Sequence, residues 1–80
     1  MSDVEKRVKE VVARTLKVDM ARINDGSRFV EDLGAESIQS VELIAAFEEE
    51  FDIEMDEEEA LQIKTVGKAV EFIEKMLQQR

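Results

Sequence analysis

The sequence predicts an all-α fold. We expect a small four-helix bundle, with three principal helices plus one short helix and a long loop between the first and second helices. Apolar residues recur at helical spacing in three stretches, and a capping pattern opens a fourth, shorter one. No helical period is sustained between the first two stretches. The chain has 80 residues without a repeat or linker, so residues 1–80 are expected to form one domain. A domain of this size buries only roughly 60% of its unfolded surface, which predicts modest stability.

The first helix is predicted to begin at Ser2, because Ser2 and Glu5 have the spacing of a capping box. One apolar stripe then follows at helical spacing: Val4, Val8, Val11, Val12 and Leu16. Cations occupy the remaining faces alongside acids: Lys6, Arg7, Lys9, Arg14 and Lys17. These cations form either a solvated face or a contact with the acidic second half of the chain.

Residues 18–36 form a long connection, with a strong turn pattern (Asn-Asp-Gly-Ser) at residues 24–27. Such a length is uncommon in a small domain unless the segment is functional or contains short structure of its own. An EF-hand alignment on Gly26 fails, because Ala21 and Ile23 would stand where oxygen ligands belong. We therefore predict no metal site. The apolar residues expected to anchor the connection in the core are Ile23, Phe29, Val30 and Leu33.

The second helix is predicted to begin at Ser37 or Ile38 and to end near Phe51. Serine suits a helix N-cap, because its oxygen can accept a hydrogen bond from an amide one turn on. The stripe predicted to face the core is Leu43, Ile44, Phe47 and Phe51. A second, offset stripe is Ile38, Val41 and Ala45. A helix that is apolar over so much of its circumference is either deeply buried or presents apolar surface to a partner.

The short helix is predicted to begin after Asp56, which forms a capping-box pattern with Glu59. Residues expected to close the bundle nearby are Ile53, Met55, Leu61 and Ile63. Met55 and its branched neighbours either fill the core or line a deformable apolar cavity. Thr65 is predicted to cap the last helix. The inward positions of that helix are Val66, Ala69, Val70, Ile73 and Leu77.

Composition narrows the possible functions. The formal net charge is −9, from 11 basic and 20 acidic residues, which argues against nucleic acid and anionic membranes as partners. The chain has no histidine or cysteine, so the commonest general base and the best side-chain nucleophile are absent and catalysis is disfavoured. No apolar run is long enough to span a bilayer, and the N-terminus is charged, so we expect no membrane insertion and a cytoplasmic protein.

The acidic residues are segregated along the chain. Residues 30–62 contain 13 acids and no lysine or arginine. This segregation predicts a docking face for partners rich in arginine and lysine, which electrostatic steering would attract. The alternative is a face that serves only solubility.

A family resemblance centres on the start of the second helix. Residues 29–38 read FVEDLGAESI, residues 41–43 read VEL and residues 47–51 read FEEEF. These segments closely resemble the acyl carrier proteins of fatty-acid synthesis, and the likeness extends over about residues 4–76. In that family, the serine of an Asp-Ser-Leu motif is esterified by 4′-phosphopantetheine. This chain has Glu36-Ser37-Ile38 instead, a departure that bears more on the rate of modification by a given transferase than on the modification itself.

The resemblance implies that Ser37 carries a covalent 4′-phosphopantetheine arm, whose thiol holds acyl groups as thioesters for fatty-acid or related lipid-synthesis enzymes. The implied partners are a phosphopantetheinyl transferase and acyl-processing enzymes with basic surfaces, and the carrier is expected to be a monomer without catalytic activity. Two alternatives stay open: a carrier for a specialised acyl, polyketide or aminoacyl group, and an unmodified acidic interaction module. The residues expected to contact partners are Glu36, Ile38, Val41, Glu42, Ala45, Glu48 and Glu49.

Overall fold

The computed structural model describes residues 3–79 and confirms the all-α prediction. Three principal helices and one short helix occur in the predicted order, and the first connection also contains a short 3-10 helix, Met20–Arg22. The predicted cap at Ser2 lies outside the described residues. The helices are α1 (Asp3–Leu16), α2 (Ser37–Phe51), α3 (Glu57–Leu61) and α4 (Val66–Gln78).

Helix α1 lies at the centre of the packing, since it contacts both α2 and α4. The short helix α3 differs, because among the described elements it packs against α2 alone. The apolar stripes predicted for the three long helices are confirmed as the main part of one core. The buried apolar residues are Val8, Val11, Val12, Leu16, Ile23, Phe29, Leu33, Ala35, Leu43, Phe47, Phe51, Met55, Ala60, Val66, Ala69, Val70 and Ile73. The predicted inward residues that lie half-buried at its edge are Val4, Ile44, Ile53, Ile63 and Leu77.

Two residues predicted to be buried are exposed. Val30 is 55% exposed because the turn around it directs Phe29 and Leu33 into the core instead. In that turn the amides of Asp32 and Leu33 both donate to the Arg28 carbonyl. Leu61 is 45% exposed. Helix α3 has only five residues, and its single buried position is Ala60.

The connection between α1 and α2 is bound to the segment that leads into α4. Gly67 permits this close approach, because a Cβ at that position would lie 2.9 Å from the Asp25 carbonyl oxygen. The connection is therefore joined to the chain at the start of α4. Three main-chain hydrogen bonds join the two segments: Phe29 N–H to Lys64 O (3.0 Å), Val66 N–H to Ser27 O (3.0 Å) and Gly67 N–H to Asp25 O (2.8 Å).

One of the α1 cations contacts the acidic segment. The Arg7 guanidinium lies 2.9 Å from the Glu50 carboxylate and 4.5 Å from the centre of the Phe51 ring. It also donates to the Glu50 carbonyl at the end of α2, where a cation complements the helix dipole. Lys6, Arg14 and Lys17 are exposed. Both interpretations of the α1 cations therefore hold, each for different residues: Arg7 contacts the acidic half of the chain, and these three form a solvated face.

Candidate functional site

Ser37 is the first residue of α2, and its side chain is exposed. No described residue hydrogen-bonds to its hydroxyl. The neighbours Glu36 and Ile38 are exposed as well, so open solvent surrounds the serine. The hydroxyl is therefore free to react and is accessible to another protein.

The loop before Ser37 is held in a defined shape. Gly34 has φ of +73°, a backbone conformation that side chains other than glycine rarely adopt. Its amide donates to the Val30 carbonyl, and the next amide, of Ala35, donates to the Phe29 carbonyl at 2.8 Å. Ala35 is buried, so the chain is fixed in the core two residues before the exposed serine.

Of the two starts that the sequence left open for α2, Ser37 or Ile38, the structure has Ser37, and Glu36 is the N-cap residue. Glu36 has an extended backbone, and its carbonyl accepts the first helical hydrogen bond, from the Ser40 amide. The Glu36 amide in turn donates to Oε1 of Gln39 at 2.9 Å. These bonds complete the helix start without the Ser37 hydroxyl, which leaves that oxygen available for chemistry.

The second apolar stripe of α2 lies at the surface. Ile38 is 70% exposed, Val41 is 54% exposed, and Ala45 is also exposed. Because the protein does not bury these side chains itself, they form an apolar strip beside Ser37. Of the two possibilities that the sequence left open, the structure favours an apolar surface presented outward.

The predicted partner-contact acids occupy two kinds of environment. Glu36, Glu42 and Glu49 are exposed. Glu48 is half-buried, and its Oε2 accepts a hydrogen bond from the Met55 amide at 2.9 Å. Glu48 therefore fastens the segment after α2 in addition to carrying charge, a role that the sequence gave no reason to expect.

An apolar cavity of about 120 Å³ opens between α2, α3 and the loop before α2. The sequence had left open whether Met55 and its branched neighbours fill the core or line a cavity. Met55, Ile44 and Ile63 do line this cavity. Ser40 also lines the cavity, which the sequence analysis did not predict. Its position one helical turn after Ser37 indicated that it could lie near the same site. The remaining lining residues are Phe29, Val30, Glu31, Leu43, Phe47, Ala60, Leu61 and Lys64.

A local ion pair stabilises the loop at one side of this cavity. Asp32 accepts hydrogen bonds from the Arg28 amide at 2.9 Å and from the Arg28 Nε at 3.2 Å. The Arg28 guanidinium lowers the pKa of Asp32 below its ordinary value, chiefly through the side-chain hydrogen bond. Glu31 also lies 3.6 Å from Arg28 Nε. Arg28 therefore forms ion pairs with both acids of this loop, Glu31 and Asp32.

The residues around Ser37 fit a covalently attached arm. The Ser37 hydroxyl has no partner among the described residues, and no charged residue occupies the first turn of α2 itself. The helix N-terminus carries partial positive charge that favours a phosphate group. Within residues 3–79, no cluster of three or more potential metal-ligating side chains was found. No helix in the described part of the chain is long and apolar enough to cross a membrane.

Comparison with known proteins agrees with this geometry. A family model described as "Phosphopantetheine attachment site" matches residues 6–73. An "Acyl carrier protein" from Sinorhizobium fredii (strain NBRC 101917 / NGR234) is 51% identical over 75 residues, which cover 94% of this chain and 96% of that protein. "Acyl carrier protein AcpP" from Rhizobium meliloti (strain 1021) has the same identity and the same coverage. The chain belongs to the acyl carrier protein family, whose members bear phosphopantetheine, and the resemblance noted in the sequence is confirmed.

Proposed function

We propose that this protein carries acyl groups as thioesters on a 4′-phosphopantetheine arm attached to Ser37 and delivers them to enzymes of fatty-acid or related lipid synthesis. The observation that carries the proposal is the exposed, unpartnered Ser37 hydroxyl at the first residue of α2. When bound, the arm supplies the thiol that this cysteine-free chain lacks. The protein itself catalyses no reaction.

The chain's own residues position and shelter the cargo. The α2 N-terminus places its partial positive charge beside the phosphodiester that Ser37 would carry. Phe29, Phe47 and Met55 give the nearby cavity an apolar lining. A cavity needs only roughly 10–15 Å³ of open space to hold one water molecule, and this one has about 120 Å³, which is room for part of an acyl chain.

Intact-mass measurement tests the attachment site. The protein is incubated with a phosphopantetheinyl transferase and coenzyme A, and we expect the wild type to gain the mass of one phosphopantetheine. Ser37→Ala should gain nothing, whereas the matched variant Ser40→Ala, one turn further along α2, should be modified like the wild type. An adduct that persists in Ser37→Ala would overturn the assignment. A folded wild type that never acquires an adduct would favour the unmodified interaction module.

We propose that partner enzymes dock on α2. The apolar strip would form the dry centre of a small interface, and the surrounding acids would attract basic surfaces. The proposed contacts are Glu36, Ile38, Val41, Glu42, Ala45, Glu48 and Glu49. Among them, Glu42 and Glu49 suit a test of charge best, because both are exposed and neither side chain has a hydrogen bond or ion pair with a described residue.

Charge reversal separates docking from net charge. Glu42→Lys should lower the kcat/KM of the transferase, and added salt should reduce the difference from the wild type. Glu71→Lys on α4 is the matched control, since it changes the net charge equally but lies on another helix. Equal effects of the two variants would argue against α2 as the docking face.

We further propose that the carrier acts as a cytoplasmic monomer. The exposed apolar strip contains only Ile38, Val41 and Ala45, which is little surface for a stable dimer. The alternative cargoes that the sequence left open, specialised acyl, polyketide or aminoacyl groups, would use the same arm. They differ in the chemistry of the chain that reaches the cavity.

A further inference from the structure

The cavity contains one half-buried polar side chain, Ser40. The other polar side chains that line it, Glu31 and Lys64, are exposed and remain hydrated at the opening. Ser40 lies on α2 among apolar neighbours, and no described residue hydrogen-bonds to its hydroxyl. Because Ser40 lines the cavity, a chain that filled it would cover the Ser40 hydroxyl and exclude solvent from it.

Among the α2 residues that line the cavity, Ser40 is the nearest to Ser37 along the helix. Ser40 is one turn from Ser37, about 4.5 Å along the helix axis, whereas Phe47 is about 15 Å from Ser37. Both Ser40 and Phe47 line the cavity. A chain that reached the cavity with its apolar end beside Phe47 would keep the carbons nearer its thioester towards Ser40.

We propose that the Ser40 hydroxyl is a specificity determinant that favours acyl chains bearing an oxygen on a carbon close to the thioester, such as 3-hydroxyacyl chains. This inference rests on the proposed function, because it requires a cargo tethered at Ser37. A saturated chain leaves the covered hydroxyl without a hydrogen-bond partner, which costs free energy. A 3-hydroxyl group restores that bond, and a serine hydroxyl can either donate or accept it.

The selectivity follows from the difference between the two cargoes. Apolar lining alone distinguishes poorly between chains that differ by one hydroxyl group, whereas a polar group within the site discriminates against the chain that leaves it unpaired. Ser40 supplies that polar group without a structural role of its own. Its main-chain amide, which donates to the Glu36 carbonyl, is unaffected by substitution of the side chain.

The experiment compares two short cargoes on the intact protein. Wild type, Ser40→Ala and Ser40→Thr are each loaded at Ser37 by a transferase, from hexanoyl-coenzyme A or 3-hydroxyhexanoyl-coenzyme A. Hydroxylamine cleaves the thioester, and its rate is measured for each acyl group on the protein and on coenzyme A. The rate on coenzyme A is divided by the rate on the protein. This quotient is a protection factor that cancels the intrinsic reactivity of each cargo. The change in thermal unfolding midpoint on loading provides a second measurement.

For each protein, we divide the protection factor of the 3-hydroxyhexanoyl cargo by that of the hexanoyl cargo. We expect this ratio to be roughly three- to tenfold higher in the wild type than in Ser40→Ala, which is the effect of one neutral hydrogen bond. Ser40→Thr keeps the hydroxyl and should retain most of the preference. Glu31→Gln, at the hydrated opening, should leave the ratio unchanged. The thermal midpoints should show the same order of preference.

Equal ratios in wild type and Ser40→Ala, with both proteins fully loaded, would overturn the role of Ser40 and leave the proposed function intact. A preference lost equally in Glu31→Gln would assign the selectivity to the opening of the cavity instead. Failure of the wild type to load at Ser37 would overturn the proposed function and this inference together.

Discussion

The two walls of the cavity are built differently. On one side, the loop that contains Phe29 is joined to the start of α4 by main-chain hydrogen bonds at Asp25, Ser27 and Phe29. On the other side, α3 has five residues and, among the described elements, packs against α2 alone. Elements with few buried contacts open at lower free energy than a well-packed core. We therefore expect the wall formed by α3 to open at a lower free energy than the wall formed by the loop.

The largest expected contrast is between a side chain of the rigid part and one on α3. Ile73→Ala should lower the free energy of unfolding by about 2–5 kcal/mol, because Ile73 is fully buried. Leu61→Ala should cost less than about 1 kcal/mol, since Leu61 is already 45% exposed. Urea unfolding followed by circular dichroism measures both values. If Ile73→Ala does not fold, its failure to fold already shows the larger loss, and Ile73→Val, expected to cost about 0.5–1.5 kcal/mol, measures the effect of a smaller deletion at the same position. If Ile73→Ala and Leu61→Ala lowered the free energy of unfolding equally, the difference between the α4 core and α3 would be contradicted.

The next contrast lies within the hydrogen-bonded wall. Gly67→Ala should cost about 1–3 kcal/mol, because the new Cβ would lie 2.9 Å from the Asp25 carbonyl oxygen and neither backbone can easily yield. Gly26→Ala is the matched control in the neighbouring turn, where the nearest atom to an added Cβ lies at an ordinary 3.5 Å. Urea midpoints at constant m-value report the difference. A Gly67→Ala protein as stable as Gly26→Ala would show that the contact is not rigid.

A smaller effect separates two adjacent acids of α2. Glu48→Ala should cost about 1 kcal/mol, because the Met55 amide loses its acceptor at the start of the segment leading to α3. Glu49→Ala removes the same charge from an exposed position and should leave stability almost unchanged. Thermal unfolding at fixed salt distinguishes them. If the two variants are equally stable, Glu48 contributes to the surface charge alone.

The smallest expected effect concerns pH. The pKa of Asp32 is lowered by its hydrogen bond to Arg28, so the folded protein holds this carboxylate ionised more strongly than the unfolded chain does. The resulting stabilisation is fully present above the ordinary aspartate pKa of about 4 and is lost as the pH falls through the lowered value. We therefore expect the stability difference between wild type and Asp32→Asn to shrink on acidification. Unfolding curves from neutral to acidic pH measure it, and a difference that grows instead would give the wrong sign for this ion pair.

The sequence was sufficient for features that depend on local periodicity. Spacing identified the three long helices and most of their buried positions. Residue type identified the caps at Asp56 and Thr65, whose side chains accept hydrogen bonds from the amides of Glu58 and Lys68. The turn at residues 24–27 was also predicted, but its attachment to α4 was not. That attachment depends on Gly67, which is far away in the sequence.

The errors have a common physical cause. Val30 and Leu61 are apolar, and burial was the natural prediction for both, but they line the cavity and remain exposed. Glu48 appeared as one acid among many, because its bond to the Met55 amide depends on how the chain turns after α2. Each case requires tertiary geometry that no local pattern contains.

The central claim is that Ser37 carries a phosphopantetheine arm in the cell. The most direct test is the intact mass of the protein purified from its native cell, followed by peptide mapping of the modified residue. We expect a population heavier by one phosphopantetheine, with or without an acyl group, and the added mass on the peptide that contains Ser37. Protein without the added mass, or with an adduct on another residue, would contradict the account.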